Sequence, residues 1–447
     1  MRVLCPTLVL TCLSTHIAFA GTPQSSVVTG VQKVVRTDHV TLAELLAHAD
    51  VHAPRLEVAQ GGRLRAHAQV EAAGRLQPYN PSISFGLGRR SQGNQTGLDA
   101  EVEIQQQLRV AGQRRREQAA AKQLDASGMA DVKVVRWAIH TEIHRTFQLA
   151  VTARERARLA EELAEFTREM ESLVSRRVEV GEESPMVLEL ARAERVLAEA
   201  NSLDRQARVQ AIDSELAEAA GWPGDRSLTV VGSLPVARRL VAMEALVEAA
   251  FRANPTLASF RAQREWASAE SYAQTRRAIP SPTFGVRYAR EGGVAAQGGS
   301  AVDTDVWMGT VSLPIPMFAR NQGARLRANA DHELSRIRER VAAKRFDRQV
   351  RRAAALVEAS ARRVVSFEIG VLGAYARNLS ALLRAYEVGE LDLFQLTQAR
   401  QRMWQGRLSA LDALEDHVGA VADLEGLVGA EIGEFLFATK SVRGESL

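Results

Sequence analysis

Two short stretches of the chain alternate apolar and polar residues at every second position. In NPSISFGLGRR, Ile83, Phe85 and Leu87 fall on one side, and Ser82, Ser84, Gly86 and Gly88 on the other. In SPTFGVRYAR, Phe284, Val286 and Tyr288 alternate with Thr283, Gly285 and Arg287. A period of two is the mark of a β-strand with one apolar face. Each stretch is followed by a Gly-rich loop and a second candidate strand, LDAEVEIQQQL and DVWMGTVSL. Elsewhere the pattern changes to steps of three and four. Leu326, Ala330, Leu334, Ile337 and Val341 trace one helical face,. No proline interrupts residues 112–179 or 323–387. Some 65 residues of helix at about 1.5 Å each reach roughly 100 Å, a length suited to a rod or a wall of packed helices.

The elements occur twice. EVGEESPMVLELAR, from Glu179, aligns without a gap with EVGELDLFQLTQAR, from Glu387, at an offset of 208. Pro54 pairs with Pro255 and Pro81 with Pro282, both at 201. The drift falls in the Gly-rich loops, where an insertion is tolerated. Each copy reads as a helix, a β-hairpin, a long helix and a returning helix. The first helix is expected over about 41–77, with its partner over about 241–278. Each long helix should stop at the glycine of its EVGE turn, Gly181 or Gly389, because a helix end favours a left-handed residue there. The returning helices are expected from Pro185 to about Ala220 and from about Asp392 to Val428. The first repeat occupies 21–220 and the second 241–432. A link with a short strand joins them over 221–240, and a tail follows over 433–447.

Residues 1–20 have a positive start, a short apolar run and a small-residue end at Ala20, the form of a secretory signal,. An anchor helix fits less well, because Pro6, Thr11 and His16 break the run,. Both cysteines, Cys5 and Cys12, lie in this segment, and lipidation of Cys12 is a minor alternative. Without the signal the chain has no cysteine, hence no disulfide or thiolate metal site. The net charge of +4 is close to balance, and with a signal it gives no case for a nucleic-acid partner,. Beyond the signal no run of about 18 apolar residues appears, so any membrane crossing has to be made by strands.

Four strands cannot close a barrel, and spanning barrels contain at least eight. Two chains would supply eight strands, with an interior nearly filled by side chains. Three would supply twelve, wide enough for an aqueous path. The alternation then sends Ile83, Phe85, Leu87, Phe284, Val286 and Tyr288 towards lipid, and Ser84, Gly86, Glu101, Glu103 and Arg287 towards water. The fold class is mainly α with a membrane β-barrel portion.

The chain resembles the TolC-like outer-membrane efflux proteins over nearly all of its mature length. The resemblance rests on the duplicated plan, on VGE followed by LELARAE and by LFQLTQARQ, and on SLPIPMFARNQG, Ser312 to Gly323. The last motif is similar to the CzcC-like branch, which serves heavy-metal cation efflux. The resemblance implies a homotrimer with a twelve-stranded barrel in the outer membrane and an α-helical tunnel through the periplasm. It implies two partners, a periplasmic adaptor and an inner-membrane resistance–nodulation–division pump. Gly181, Glu182, Gly389, Glu390 and Leu391 would meet the adaptor at the periplasmic tip. The constriction would lie near Asp392, Gln395 and Gln398, where some family channels carry aspartates. Pro314, Pro316, Gly112 and Gly323 would mark the junction of barrel and tunnel. Gly112 aligns with Gly323, although copy one lacks both prolines.

No nucleophile with a base, no phosphate loop and no carboxylate pair stands out, so no catalytic residue and no cofactor is assigned. His140 and His144, and His48 and His52, are spaced four apart and could chelate a metal,. HTEIH is not a zinc-protease motif, because its Glu is one place late. Neither pair has a third ligand nearby in sequence, so no metal site is assigned. Two readings compete with a metal-efflux channel. One is a drug-efflux or type I secretion outlet of the same fold. The other is a pore-free periplasmic coiled-coil scaffold.

Overall fold

The computed structural model describes residues 36–92, 95–240, 243–293, 299, 302–367, 381, 384–385, 390, 393–430 and 436–438. The expected signal at 1–20 and most of the expected tail lie outside them. In the first copy, strand β1 (Arg36–Val40) leads into helices α1 (Leu42–His52) and α2 (Pro54–Gly74). The hairpin β2 (Ser82–Gln92) and β3 (Gln95–Gln107) follows, then helices α3 (Gln113–Glu179) and α4 (Pro185–Ala220). Strands β4 (Arg226–Val230) and β5 (Arg238–Leu240) make the link. The second copy repeats the plan. It comprises α5 (Met243–Ala253), α6 (Pro255–Arg277), β6 (Thr283–Glu291), β7 (Thr304–Ser312), α7 (Gln322–Phe367), α8 (Leu393–Val428) and the short β8 (Leu436–Ala438).

The expected single helices over 41–77 and 241–278 are each two helices. Ala53 and Asn254 are extended, with φ/ψ of −61/124° and −61/118°. A residue before proline is pushed out of the helical region, and proline itself is at home in a helix's first turn. Pro54 and Pro255 therefore end one helix and start the next. Asn254 adds a cap, its side chain accepting from the Leu257 amide at 2.8 Å,. The break has a use. Each returning helix ends in a left-handed glycine, Gly221 (φ 69°) or Gly429 (φ 77°), seated against one of these breaks. A Cβ on Gly221 would lie 2.1 Å from the His52 carbonyl oxygen, and one on Gly429 would lie 2.7 Å from Asn254 Cα.

The 67 residues of α3 make it a continuous rod, on the order of 100 Å long. It packs against α2, α4, α6 and α8. Each copy has its own core. The first joins Leu45, Leu56, Ile143, Phe147 and Leu216 to Leu228 and Val230 of β4. The second joins Leu246, Leu257, Phe346, Val350, Val357 and Leu424. Two small sheets not foreseen from the sequence tie the ends together. β1 pairs in parallel with β4, and β5 pairs antiparallel with β8. The expected strand of the link is β4, whereas the expected tail contributes a strand, β8, as the partner of β5.

Gly221→Ala should lower the thermal midpoint of the detergent-solubilised protein, at a cost of about 2 kcal/mol, since positive φ and backbone overlap both penalise a Cβ. Gly224→Ala, where a Cβ meets nothing within 4 Å, should leave the midpoint nearly unchanged.

Candidate functional site

The four longer strands form one antiparallel sheet in the order β2–β3–β6–β7. Its register brings the apolar positions into rows. Ile83 pairs with Ile104, which pairs with Val286. Phe85 pairs with Val102, Val102 with Tyr288, and Tyr288 with Trp307. Phe284 pairs with Val311. These rows lie on a single face because side chains of directly paired residues point the same way. Phe85 is 76% exposed, Leu87 81% and Trp307 72% in the single chain. Contiguous apolar exposure on this scale marks a surface built to be covered. Tyr288 is half-buried against Trp307, with ring centroids 4.9 Å apart, and its hydroxyl donates to Asp305 at 2.9 Å.

The other face is polar. Ser84 pairs with Glu103, which pairs with Arg287, and Gly86 pairs with Glu101. Arg287 Nε lies 3.3 Å from Glu101, and the Thr310 hydroxyl donates to Glu103 at 2.8 Å. A Cβ on Gly86 would fall 2.7 Å from the Glu101 side chain. Here the glycine makes room for a carboxylate lying across the sheet. Among the described residues β2 and β7 have no neighbour on their outer sides.

At the junction of sheet and rods, Gly112 precedes α3 in the left-handed conformation (φ 73°). Its structural counterpart is Asn321 (φ 54°) rather than Gly323, which is the second residue of α7. Side-chain bonds confirm the register. Gln113 Oε1 accepts from the Ala111 amide at 2.9 Å, and Gln322 Oε1 from the Arg320 amide at 2.6 Å. The sequence alignment slipped by two because it matched glycine to glycine. Asparagine is the other residue that tolerates this conformation. Pro314 and Pro316 lie in the connection between β7 and α7, beyond the last ladder pair, Thr283–Ser312.

At the far end, Gly181 takes the left-handed position (φ 79°) after α3. The Gly181 amide donates to Val178 O at 3.0 Å and the Glu182 amide to Arg177 O at 2.8 Å, the paired bonds of a Schellman stop,. In copy two the Glu390 amide donates to Ala385 O at 2.8 Å, the same bond at the repeat offset. Gly389, Leu391 and Asp392 lie outside the described residues. Glu182 and Glu390 are exposed. On α8, Gln395, Gln398, Arg402 and Gln405 share an exposed stripe, while Leu396 on the opposite side is buried.

Beside that stripe sits a group that sequence reasoning missed. The Arg400 guanidinium lies 3.6 Å from the centroid of Phe166 and 4.9 Å from that of Trp404. Burial pushes its pKa down, while Glu169 and Glu162 oppose the shift. Trp404 is buried and donates to Leu159 O at 3.0 Å. The contact joins α8 to α3, hence copy two to copy one, near the tips. Its signal was the Arg192–Arg400 match. Copy one does not repeat the contact, because Arg192 is exposed and pairs with Glu189 and Glu171.

The histidines are engaged separately. His140 Nε2 is 2.7 Å from Asp50, and His144 Nδ1 is 2.7 Å from Glu425. The His48 ring lies tilted against those of His52 and Trp222, with centroids 4.4 and 4.6 Å away. Among the described residues no group of three or more potential ligands could hold a metal ion. Arg136, with hydrogen bonds of 2.7 and 2.5 Å, holds the Asp50 carboxyl below its usual range, against burial and with help from His140.

A sheet with one apolar face, set on two pairs of very long helices and built twice over, is the fold of the TolC-like outer-membrane efflux channels. No model of a known protein family matches the chain. It is 22% identical, over 72% of its length and 75% of the relative's, to the cobalt-zinc-cadmium resistance protein CzcC of Cupriavidus metallidurans. Solved structures agree on the fold. CusC superposes with a TM-score of 0.67 at 17% identity, covering 87% of this chain and 92% of that one. The outer-membrane protein VceC of Vibrio cholerae superposes with 0.65 at 15% identity, covering 87% and 96%.

Two substitutions check this geometry. Arg400→Ala should destabilise the protein by about 1–2 kcal/mol in thermal unfolding, with Arg400→Lys between it and the native chain, because lysine cannot stack as a plane. A depressed Asp50 pKa stabilises the fold above the unfolded carboxyl value, and that contribution is lost as pH falls through the folded one. Asp50→Asn should therefore melt lower than the native chain at pH 7, by the equivalent of about 1 kcal/mol, with the gap closing as the pH falls below the usual carboxylate range.

Proposed function

We propose that the protein is the outer-membrane channel of a three-part efflux system and that heavy-metal cations are its cargo. It works as a homotrimer with a periplasmic adaptor and an inner-membrane resistance–nodulation–division pump, and it performs no chemistry of its own. The observation that carries this reading is the four-stranded sheet, apolar on one face and open along both edges. Its strands alternate in direction, so β7 of one copy runs antiparallel to β2 of the next. Copies can therefore join edge to edge until the ring closes. In a bilayer they must, because an open edge leaves backbone groups unpaired. Three copies give twelve strands, enough for a water-filled bore.

The polar face then lines the bore. Asp99, Glu101, Glu103 and Glu291 outnumber Arg90 and Arg287 on it, which favours passage of cations. The rods continue below as the tunnel. Gly181, Glu182, Gly389, Glu390 and Leu391 meet the adaptor, and Asp392, Gln395 and Gln398 lie at the narrow end. The assignment of metal cargo draws on the similarity to a cobalt-zinc-cadmium resistance protein. It needs no bound metal, since a conduit need not hold what it passes.

The purified protein should conduct in a planar bilayer and resist carbonate extraction from membranes. A scaffold would do neither. Ile83→Lys, on the apolar face, should cost about 2–4 kcal/mol per chain at mid-depth and abolish membrane-inserted trimer, whereas Ser84→Lys, on the polar face, should insert. Deleting the gene should raise sensitivity to zinc, cobalt or cadmium. Unchanged metal tolerance with raised drug sensitivity would reassign the cargo.

A further inference from the structure

The apolar rows of the ladder are too short for a bilayer. They run from the Leu87–Ala100 level to the Phe284–Val311 level, which is Ala100 to Gln106 along β3. Six steps of about 3.4 Å, tilted by about 40°, rise roughly 15 Å, whereas an outer-membrane barrel carries an apolar band of about 25 Å. The band cannot grow at the hairpin end. Arg290 pairs there with Asp303, Tyr288 bonds to Asp305, and Arg89 is the ladder partner of Leu98. The missing height must lie at the end nearer the rods.

There the alternation of β7 runs on past the ladder. Trp307, Gly309 and Val311 are followed at the same spacing by Leu313, Ile315 and Met317. Ile315 is 77% exposed and Phe318 87%. Up to Ile315, before the turn at Pro316, an extended stretch adds up to about 10 Å. It has no ladder partner among the described residues, which in lipid would be costly,. Its composition removes most of the problem. Pro314 and Pro316 have no N–H to leave unpaired. The Met317 amide donates to Ile315 O at 2.9 Å. Pro316 O accepts from Arg320 Nε at 2.9 Å, and Phe318 O from Gln322 Nε2 at 2.8 Å.

We infer that Leu313–Phe318 is a membrane anchor, sunk in the periplasm-facing leaflet of the outer membrane and held there by anionic phospholipid headgroups. The inference rests on the barrel reading above. Charge supports the occupant. Arg320 closes the apolar segment, and Arg115, Arg276 and Arg327 are exposed around the same junction, without an ion pair among the described residues. The level is shared because Gln113 bonds to Ile279 O at 3.1 Å and Asn321 to Gln274 O at 3.0 Å. Arginines at the edge of an apolar band place their guanidinium groups among lipid phosphates.

The test uses the full chain, whose two cysteines, Cys5 and Cys12, lie in the signal. Phe85→Cys, Ile315→Cys, Phe318→Cys and Glu183→Cys are each labelled with a fluorophore and reconstituted into phosphatidylcholine–phosphatidylglycerol vesicles. Nitroxide lipids then report depth. Phe85→Cys should be quenched most by a mid-bilayer nitroxide, Ile315→Cys and Phe318→Cys most by a headgroup-proximal one, and Glu183→Cys by neither. At Phe318→Cys, nitroxide-labelled phosphatidylglycerol should quench about two-fold better than the phosphatidylcholine analogue, and R320Q with R327Q should remove that preference. Quenching at Phe85→Cys but not at Ile315→Cys or Phe318→Cys would overturn the anchor and leave the barrel standing, with a neighbouring copy covering the segment. Equal quenching by the two lipids before substitution would overturn the headgroup contact. No quenching at Phe85→Cys would overturn the barrel itself.

Discussion

An unpaired backbone N–H or C=O is tolerable in water and costs several kcal/mol in hydrocarbon. That asymmetry governs this molecule. Its sheet of four strands leaves two edges open and turns an apolar face outward. In water the face would be the liability, and in lipid the edges would be. In the proposed assembly both would be relieved at once, as copies close on each other inside a membrane. Most of the chain can be understood as the means of holding four short strands so that they can do this.

The means is duplication with local variation. A strand hairpin cannot fix its own tilt, so each is bracketed by helices that end close to it. Gln113 and Gln322 perform the same capping bond at the two junctions, although one follows a glycine and the other an asparagine. Gly221 and Gly429 seat the returning helices against the breaks at Ala53 and Asn254. What recurs is the conformation and the hydrogen bond, while residue identity recurs only where the conformation demands it.

This explains what the sequence made legible. Period-two and helical patterns identified every long element, because each buries one face over many residues. The strand faces followed from alternation alone, down to Phe85 and Phe284. The breaks before Pro54 and Pro255 were visible as prolines but were read through, since a first-turn proline is compatible with helix on its C-terminal side. The pairs β1–β4 and β5–β8 were illegible because strands of three to five residues carry little periodicity and depend on distant partners. Matching glycine to glycine misplaced the second junction, where asparagine serves. The Arg400 contact was hidden for a different reason. A cation between two rings leaves no spacing rule when one ring, Phe166, comes from the other copy.

That last contact bears on how the two halves can move. Near the tips, copy two is held to copy one by Trp404, Leu411 and Arg400 against Leu159 and Phe166. The corresponding arginine of copy one, Arg192, is exposed and paired with carboxylates on its own hairpin. An exposed ion pair contributes little and yields readily to water and salt. A desolvated guanidinium between aromatic rings does not, since separating it exposes apolar area and breaks a contact worth up to about 2 kcal/mol. The two tips of one chain are therefore unequal in grip, even though they descend from one repeated unit. Any separation of the tips must work against the α3–α8 contact, and the free energy for it has to come from something that binds the separated arrangement better.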